Sequence, residues 1–210
     1  NDYIRIYRDG IELGTAVSVG SSFPNCDYAE IGRWVWGGTT ASPFNGYLDE
    51  LRISKGIARW TENFTPPASQ YTVPIVQPIG GIDSYTKLML HMDGTDDGTT
   101  FTDDSASNHT VTRVNAVTKT GVKKLGTASG YFDGTGDYLT VPDSEDWNFG
   151  SIYTIDCWIY RTTDVPVGEY WISSDEDGDN RFCFGINSTN FGIQVKEAGS
   201  WSTRLIPLSR

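Results

Sequence analysis

Carboxylates crowd one stretch of this chain. Asp93, Asp96, Asp97, Asp103 and Asp104 fall in a single Asp/Gly/Thr-rich segment that runs to Ser107. Calcium takes about six to eight hard oxygen ligands, and such a segment can supply them; the competing reading is a solvated loop that needs Asp and Gly only to turn. The run Asp175 to Asn180 superficially suggests a calcium loop as well. It lacks Gly at the sixth position and has Ile186 where a bidentate Glu should stand, so it reads as a hairpin turn. His91 falls in a strand pattern and His109 in a polar loop, and neither has a Ser or Cys nucleophile pattern nearby. Tryptophan is the other chemistry-bearing residue. Trp34 and Trp36 sit between Gly32 and Gly37-Gly38, while Trp171 and Trp201 fall in strand patterns beside Tyr170. Flat rings flanked by Asn, Asp and Gly suit a sugar face; Trp60, Trp147 and Trp158 fit packing positions instead.

The chain has 210 residues with a formal charge of −11, which sets repulsion against phosphate backbones and anionic membranes. Nucleic acid is therefore not expected as a partner. Hydrophobic residues make up 38% and charged residues 20%, a globular balance. No apolar run approaches the roughly 20 residues that span a bilayer, so membrane insertion is not expected. Cys26, Cys157 and Cys183 are too few and too scattered for a disulfide framework or a CxxC metal site. Cys157 and Cys183 stand in apolar strand patterns, where a buried free thiol is expected. The first residue is Asn and no signal-peptide pattern is present, so the sequence reads as a window on a longer polypeptide.

Short strands separated by turn signals fill the chain. Asp9-Gly10 between alternating runs predicts a two-residue hairpin, because both turn positions need positive φ. Tyr47 to Ser54 alternates as one long strand, with Leu48, Glu50 and Arg52 expected on one side and Tyr47, Asp49, Leu51 and Ile53 on the other. Trp34 to Asn45 reads as a loop. Pro66, Pro67, Pro74, Pro78 and Gly80-Gly81 then break any regular element, which marks residues 66–83 as an extended spacer. A new series of strands follows from Lys87 to Ile206. Helical periodicity is sustained nowhere, and the fold class is all-β, an antiparallel two-sheet sandwich.

Three separated motifs carry a resemblance. They are Leu88-Met89-Leu90-His91-Met92-Asp93-Gly94, the run Gly130 to Pro142 (GYFDGTGDYLTVP), and Phe44 to Trp60 followed by Asn63-Phe64-Thr65-Pro66-Pro67. Together they resemble laminin G-like domains of the concanavalin A-like lectin/glucanase superfamily, in the form repeated in bacteriophage tail and bacterial surface proteins. The resemblance implies a jelly-roll sandwich on a virion or extracellular surface. It also implies that the motifs are out of order. Residues 1–65 correspond to the C-terminal part of such a domain and residues 84–210 to the N-terminal part. Three arrangements stay open: a slice of a tandem array, a permuted single sandwich, or complementation between chains.

Further expectations come with the resemblance. Family members often hold calcium near the rim of the sandwich, which singles out Asp93, Asp103 and Asp49 as metal ligands. The glucanase members carry paired carboxylates on one strand face. No such strand exists here, and adjacent Asp49 and Glu50 are expected to point to opposite faces. The chain is therefore expected to be no enzyme but a binding module for glycans or cell-surface polysaccharide through Trp34, Trp36, Trp171 and Trp201. The alternative is a structural fibre or spacer subunit whose contacts are with copies of itself or neighbouring repeats.

Overall fold

The computed structural model describes residues 3–18, 28–36, 39–73, 81–162, 168–175, 181–187, 190–197 and 199–207. Cys26, residues 74–80 of the spacer, the run 176–180 and the side chains of Trp36 and Trp201 lie outside the described residues. The first part of the chain supplies β1 (Tyr3–Ile4), β2 (Tyr7–Arg8), β3 (Ile11–Glu12), β4 (Val17–Ser18), β5 (Ala29–Ile31), β6 (Arg33–Trp36), β7 (Thr39–Pro43) and β8 (Asn45–Lys55). After the spacer come β9 (Thr86–Leu90), β10 (Thr112–Val114), β11 (Val117–Lys119), β12 (Ser129–Asp133) and β13 (Tyr138–Val141). The remainder is β14 (Tyr153–Arg161), β15 (Glu169–Asp175), β16 (Arg181–Asn187), β17 (Asn190–Glu197) and β18 (Ser200–Pro207). One 3-10 turn at Glu145–Trp147 is capped by Ser144.

All ladders are antiparallel. A seven-stranded sheet runs β10-β13-β5-β15-β16-β17-β18, and a five-stranded sheet runs β11-β12-β8-β14 with β9 also on β8. The fold is all-β and sandwich-like: Leu48, Leu51, Ile53, Leu88 and Phe132 of the smaller sheet share one core with Ile31, Leu139, Trp171, Ile172 and Phe182 of the larger. Strands from both sides of the spacer interleave. β8 pairs with β9, β12 and β14, and β5 lies between β13 and β15. The opening and closing strands meet through Leu51↔Leu90 and Ile53↔Leu88.

Local chemistry explains most elements. β2 and β3 pair through the Asp-Gly turn, with Asp9 at φ 52° and Gly10 at φ 78°, as the hairpin signal predicts. Gly10 also lies against the Phe64 carbonyl and accepts from the Phe64 amide at 2.9 Å. Asp175↔Arg181 closes the register of β15 and β16 on either side of the acidic run. Two expectations change. The segment read as a loop from Trp34 to Asn45 holds an antiparallel pair, β6 on β7; in the sequence its Thr, Ser and Pro residues read as loop. The spacer also packs: Tyr71 and Ile82 are buried and form a small cluster with Met89 on the outer face of the smaller sheet.

Candidate functional site

The strict alternation expected of β8 fails at its centre. Arg52 pairs with Asp156 and Asp49 with Trp158, so Glu50 and Leu51 together oppose Cys157 alone. One extra residue is a β-bulge, and Glu50 takes it up at φ 52°. Leu48 and Leu51 then both enter the core, while Asp49 and Glu50 share the outer face. This corrects the reading that the two carboxylates point apart. Adjacent residues alternate only while the pleat is regular.

The outer face carries a chain of buried polar contacts that ties the spacer to the sheet. Glu50 accepts from the Tyr71 amide at 3.0 Å and from Gln70 Nε2 at 3.0 Å, and contacts His91 Nδ1 at 2.7 Å. Gln70 Nε2 reaches on to Asp93 at 2.6 Å. Arg52 is fully buried; it pairs with Asp156 at 3.0 Å, donates to the Gly81 carbonyl at 3.2 Å and stacks on Tyr71 at 3.7 Å. The Tyr71 hydroxyl donates to Asp156 at 2.6 Å. Arg59, also buried, forks onto Asp83 at 2.8 and 3.2 Å and donates to Ser54 and Thr86. Glu50, His91 and Asp93 draw notice in the sequence, but their contacts with Gln70, Tyr71 and one another do not, because these join positions 20 to 41 residues apart.

The three metal candidates fall in different surroundings. Asp49 is 3% exposed; one oxygen accepts from the Lys124 and Leu125 amides at 2.7 and 2.9 Å, while Oδ1 is buried with no hydrogen-bond partner. Burial, only partly offset by those amides and reinforced by the charges of Glu50 and Asp93, pushes its carboxyl up to about 6. Asp93 accepts from Thr127, Ala128 and Gln70. Burial alone would raise it, but these hydrogen bonds outweigh burial and hold it below the usual carboxylate range. Asp103 is held by β9 and its own loop, accepting from the Met89, Ser105 and His109 amides and the Ser105 hydroxyl. Among the described residues no three His, Cys, Asp or Glu side chains gather closely enough to share an ion.

The two described tryptophan candidates differ in their surroundings. Trp34 is half-buried on β6 with its ring 4.9 Å from Tyr170. Trp171 is 2% exposed and wedged against Phe44, Phe184 and Phe191, so it packs the core instead of presenting a ring to solvent. Trp36 and Trp201 belong to β6 and β18, and their side chains lie outside the described residues. Cys157 and Cys183 are unbridged, and burial pushes both thiols up.

An aromatic surface appears elsewhere. Tyr131 on β12, Tyr47 on β8 and Tyr160 on β14 are cross-strand neighbours in register. Their inward neighbours Phe132, Leu48 and Ile159 pack on the core, so the three rings stand side by side on the outer face. Ring centres are 4.9 Å apart for Tyr47–Tyr131 and 5.9 Å for Tyr47–Tyr160. Tyr160 is 58% exposed and the other two are half-buried. Burial raises the Tyr47 phenol above its ordinary value, with Tyr131 adding to the effect, so its hydroxyl stays protonated. Trp158 extends the surface, with the Lys124 ammonium 4.5 Å from its ring. Period-two alternation in Gly130 to Val141, Tyr47 to Ser54 and Tyr153 to Tyr160 holds the signal for this strip. It emerges only once the register of three distant strands is known.

The chain matches no protein-family model, no curated protein and no solved structure. Among the described residues no helix is long and apolar enough to cross a membrane.

Proposed function

We propose that this chain is a non-catalytic binding module of laminin G-like, jelly-roll type that holds glycans on an extracellular or virion surface. The observation that carries this reading is the tyrosine strip Tyr131–Tyr47–Tyr160 across three adjacent strands. Tyrosine pairs an apolar face, which takes the C–H face of a pyranose, with a hydroxyl that bonds its oxygens. Asn45 and Asp133 pair with each other two residues along from Tyr47 and Tyr131, and the charge of Lys119 reaches Tyr47, so acceptors and a donor flank the strip. The acidic charge of −11 favours neutral sugars over polyanions. Asp49 and Glu50 share a face but are committed to amides, His91 and the spacer, which favours binding over hydrolysis. A glycan array with wild type, Tyr131→Ser and Tyr160→Ser tests the reading. Saturable binding lost in both folded variants supports it; binding that survives both variants, or no binding by the wild type, removes it.

A hard cation fits this reading at Asp49 and Asp93. The partnerless buried oxygen of Asp49 is what a cation would satisfy, and Gly126 leaves room that a Cβ would fill 2.4 Å from Asp93. Asp103, 2% exposed and bound to Ser105 and His109 of its own loop, would be structural. Calcium should raise the melting temperature relative to chelator, because a ligand of the folded state stabilises it, and Asp49→Asn should abolish the increment.

A further inference from the structure

A slot of about 840 Å³ runs along the outer edge of β14. One wall is residues 151–161 and the other is residues 4–10 at the start of the chain. Its inner side opens between the sheets onto Trp171, Phe184 and Phe191, and its outer side is lined by Trp60, Phe64 and Pro66. Trp60 belongs to the outer face, since its ring lies over Arg52. The slot is thus apolar toward both faces of the smaller sheet.

β14 is, among the described residues, an edge strand of the smaller sheet. Among the described residues it pairs with β8 alone, which leaves the opposite edge of residues 154–160 without a neighbouring strand. Ile155, Cys157 and Ile159 point at the core but remain only partly buried. Exposed edges are usually blunted by Lys, Pro or short length. β14 has nine residues and neither Lys nor Pro.

We infer that this slot receives one β-strand of a separate polypeptide, an uncharged segment apolar at both alternations. Three features select that occupant. The edge of β14 is a row of backbone donors and acceptors that only another backbone can pair along its length. A small apolar molecule would leave that row unmatched. A strand there continues the established β8–β14 ladder and spans about 30 Å at 3.4 Å per residue, the length of β14. Its alternate side chains then fall inward against Trp171 and outward against Trp60. The charges along the slot balance: Arg5 pairs with Glu12, Arg161 with Glu169 and Asp156 with Arg52, and exposed Arg8 is followed by Asp9, so no net charge calls for a charged partner. Tyr160 lines both this slot and the tyrosine strip, but strand pairing uses the backbone of β14 and does not require the strip to hold sugar.

The probe is a synthetic nonapeptide alternating Val and Tyr, with one Lys at each end for solubility. Titrated into the 210-residue protein, it should change tryptophan fluorescence saturably and slow amide exchange at residues 154–160. Two control peptides keep the side chains. One has a central Pro, and the other is N-methylated at every second residue on the edge facing β14; both should lose binding. Retention of binding by these controls would overturn the inference, making the slot a generic apolar pocket. So would absence of binding, or protection confined to other strands. Concentration-dependent self-association of the protein alone, with the same amides protected, would also overturn it, because the occupant would then be a second copy.

Discussion

Arg52→Met is the most direct test of how the spacer is held. Arg52 is buried completely and meets Asp156 at 3.0 Å, the Gly81 carbonyl and the face of Tyr71. Removing one partner of a buried ion pair costs about 3–5 kcal/mol, mainly because the other charge is left uncompensated. Asp156 shows the danger, since burial already raises its carboxyl despite Arg52 and Tyr71. At about 2–4 °C per kcal/mol for a chain of this size, Arg52→Met should lower the melting temperature by about 6–20 °C. Asp156→Leu should cost a similar amount. The double variant should lose clearly less than the sum, because it strands no charge. Urea denaturation of the four proteins gives the coupling, and amide exchange at Tyr71 should rise in every variant. Singles that add without coupling, or an Arg52→Met loss under about 1 kcal/mol, would refute the claim that this network fastens the spacer.

Three other outcomes follow from the outer face and the first hairpin. Asp49 has a folded value of about 6 against an ordinary 3.8, so its contribution is fully present below about pH 4 and disappears as pH rises through about 6. Thermal melts in chelator should therefore show wild type losing about 3 kcal/mol across that window while Asp49→Asn does not; parallel curves would contradict this. The hydrogen bond to Glu50 raises His91 although burial opposes it. An NMR titration should place His91 above 6.5, and Glu50→Gln should bring it down. Its stabilisation likewise is held at low pH and lost as pH rises through the raised value. Gly10→Ala should destabilise by more than about 1 kcal/mol, since φ is 78° and the new Cβ would fall 1.9 Å from the Phe64 carbonyl oxygen. Gly121→Ala, with nothing within 4 Å, is the control that should not.

Alternation and turn chemistry by themselves determined the all-β class, the Asp9-Gly10 hairpin and nearly every strand from Thr86 to Pro207, because period two and positive φ are local properties. The same local signal missed β4, β7 and β11, whose short runs carry little apolar contrast, and β6, whose residues read as part of the Gly-rich loop. Only the tertiary structure decided what the outer face does. The bulge that turns Glu50 beside Asp49 depends on how β8 meets β14, and a single added residue reverses the side every later residue faces. The strip of Tyr131, Tyr47 and Tyr160 depends on register between strands separated by the spacer. The slot beside β14 depends on which edge lacks a neighbour among the described residues. Registers and edges are set by packing between distant segments, so no window of sequence contains them.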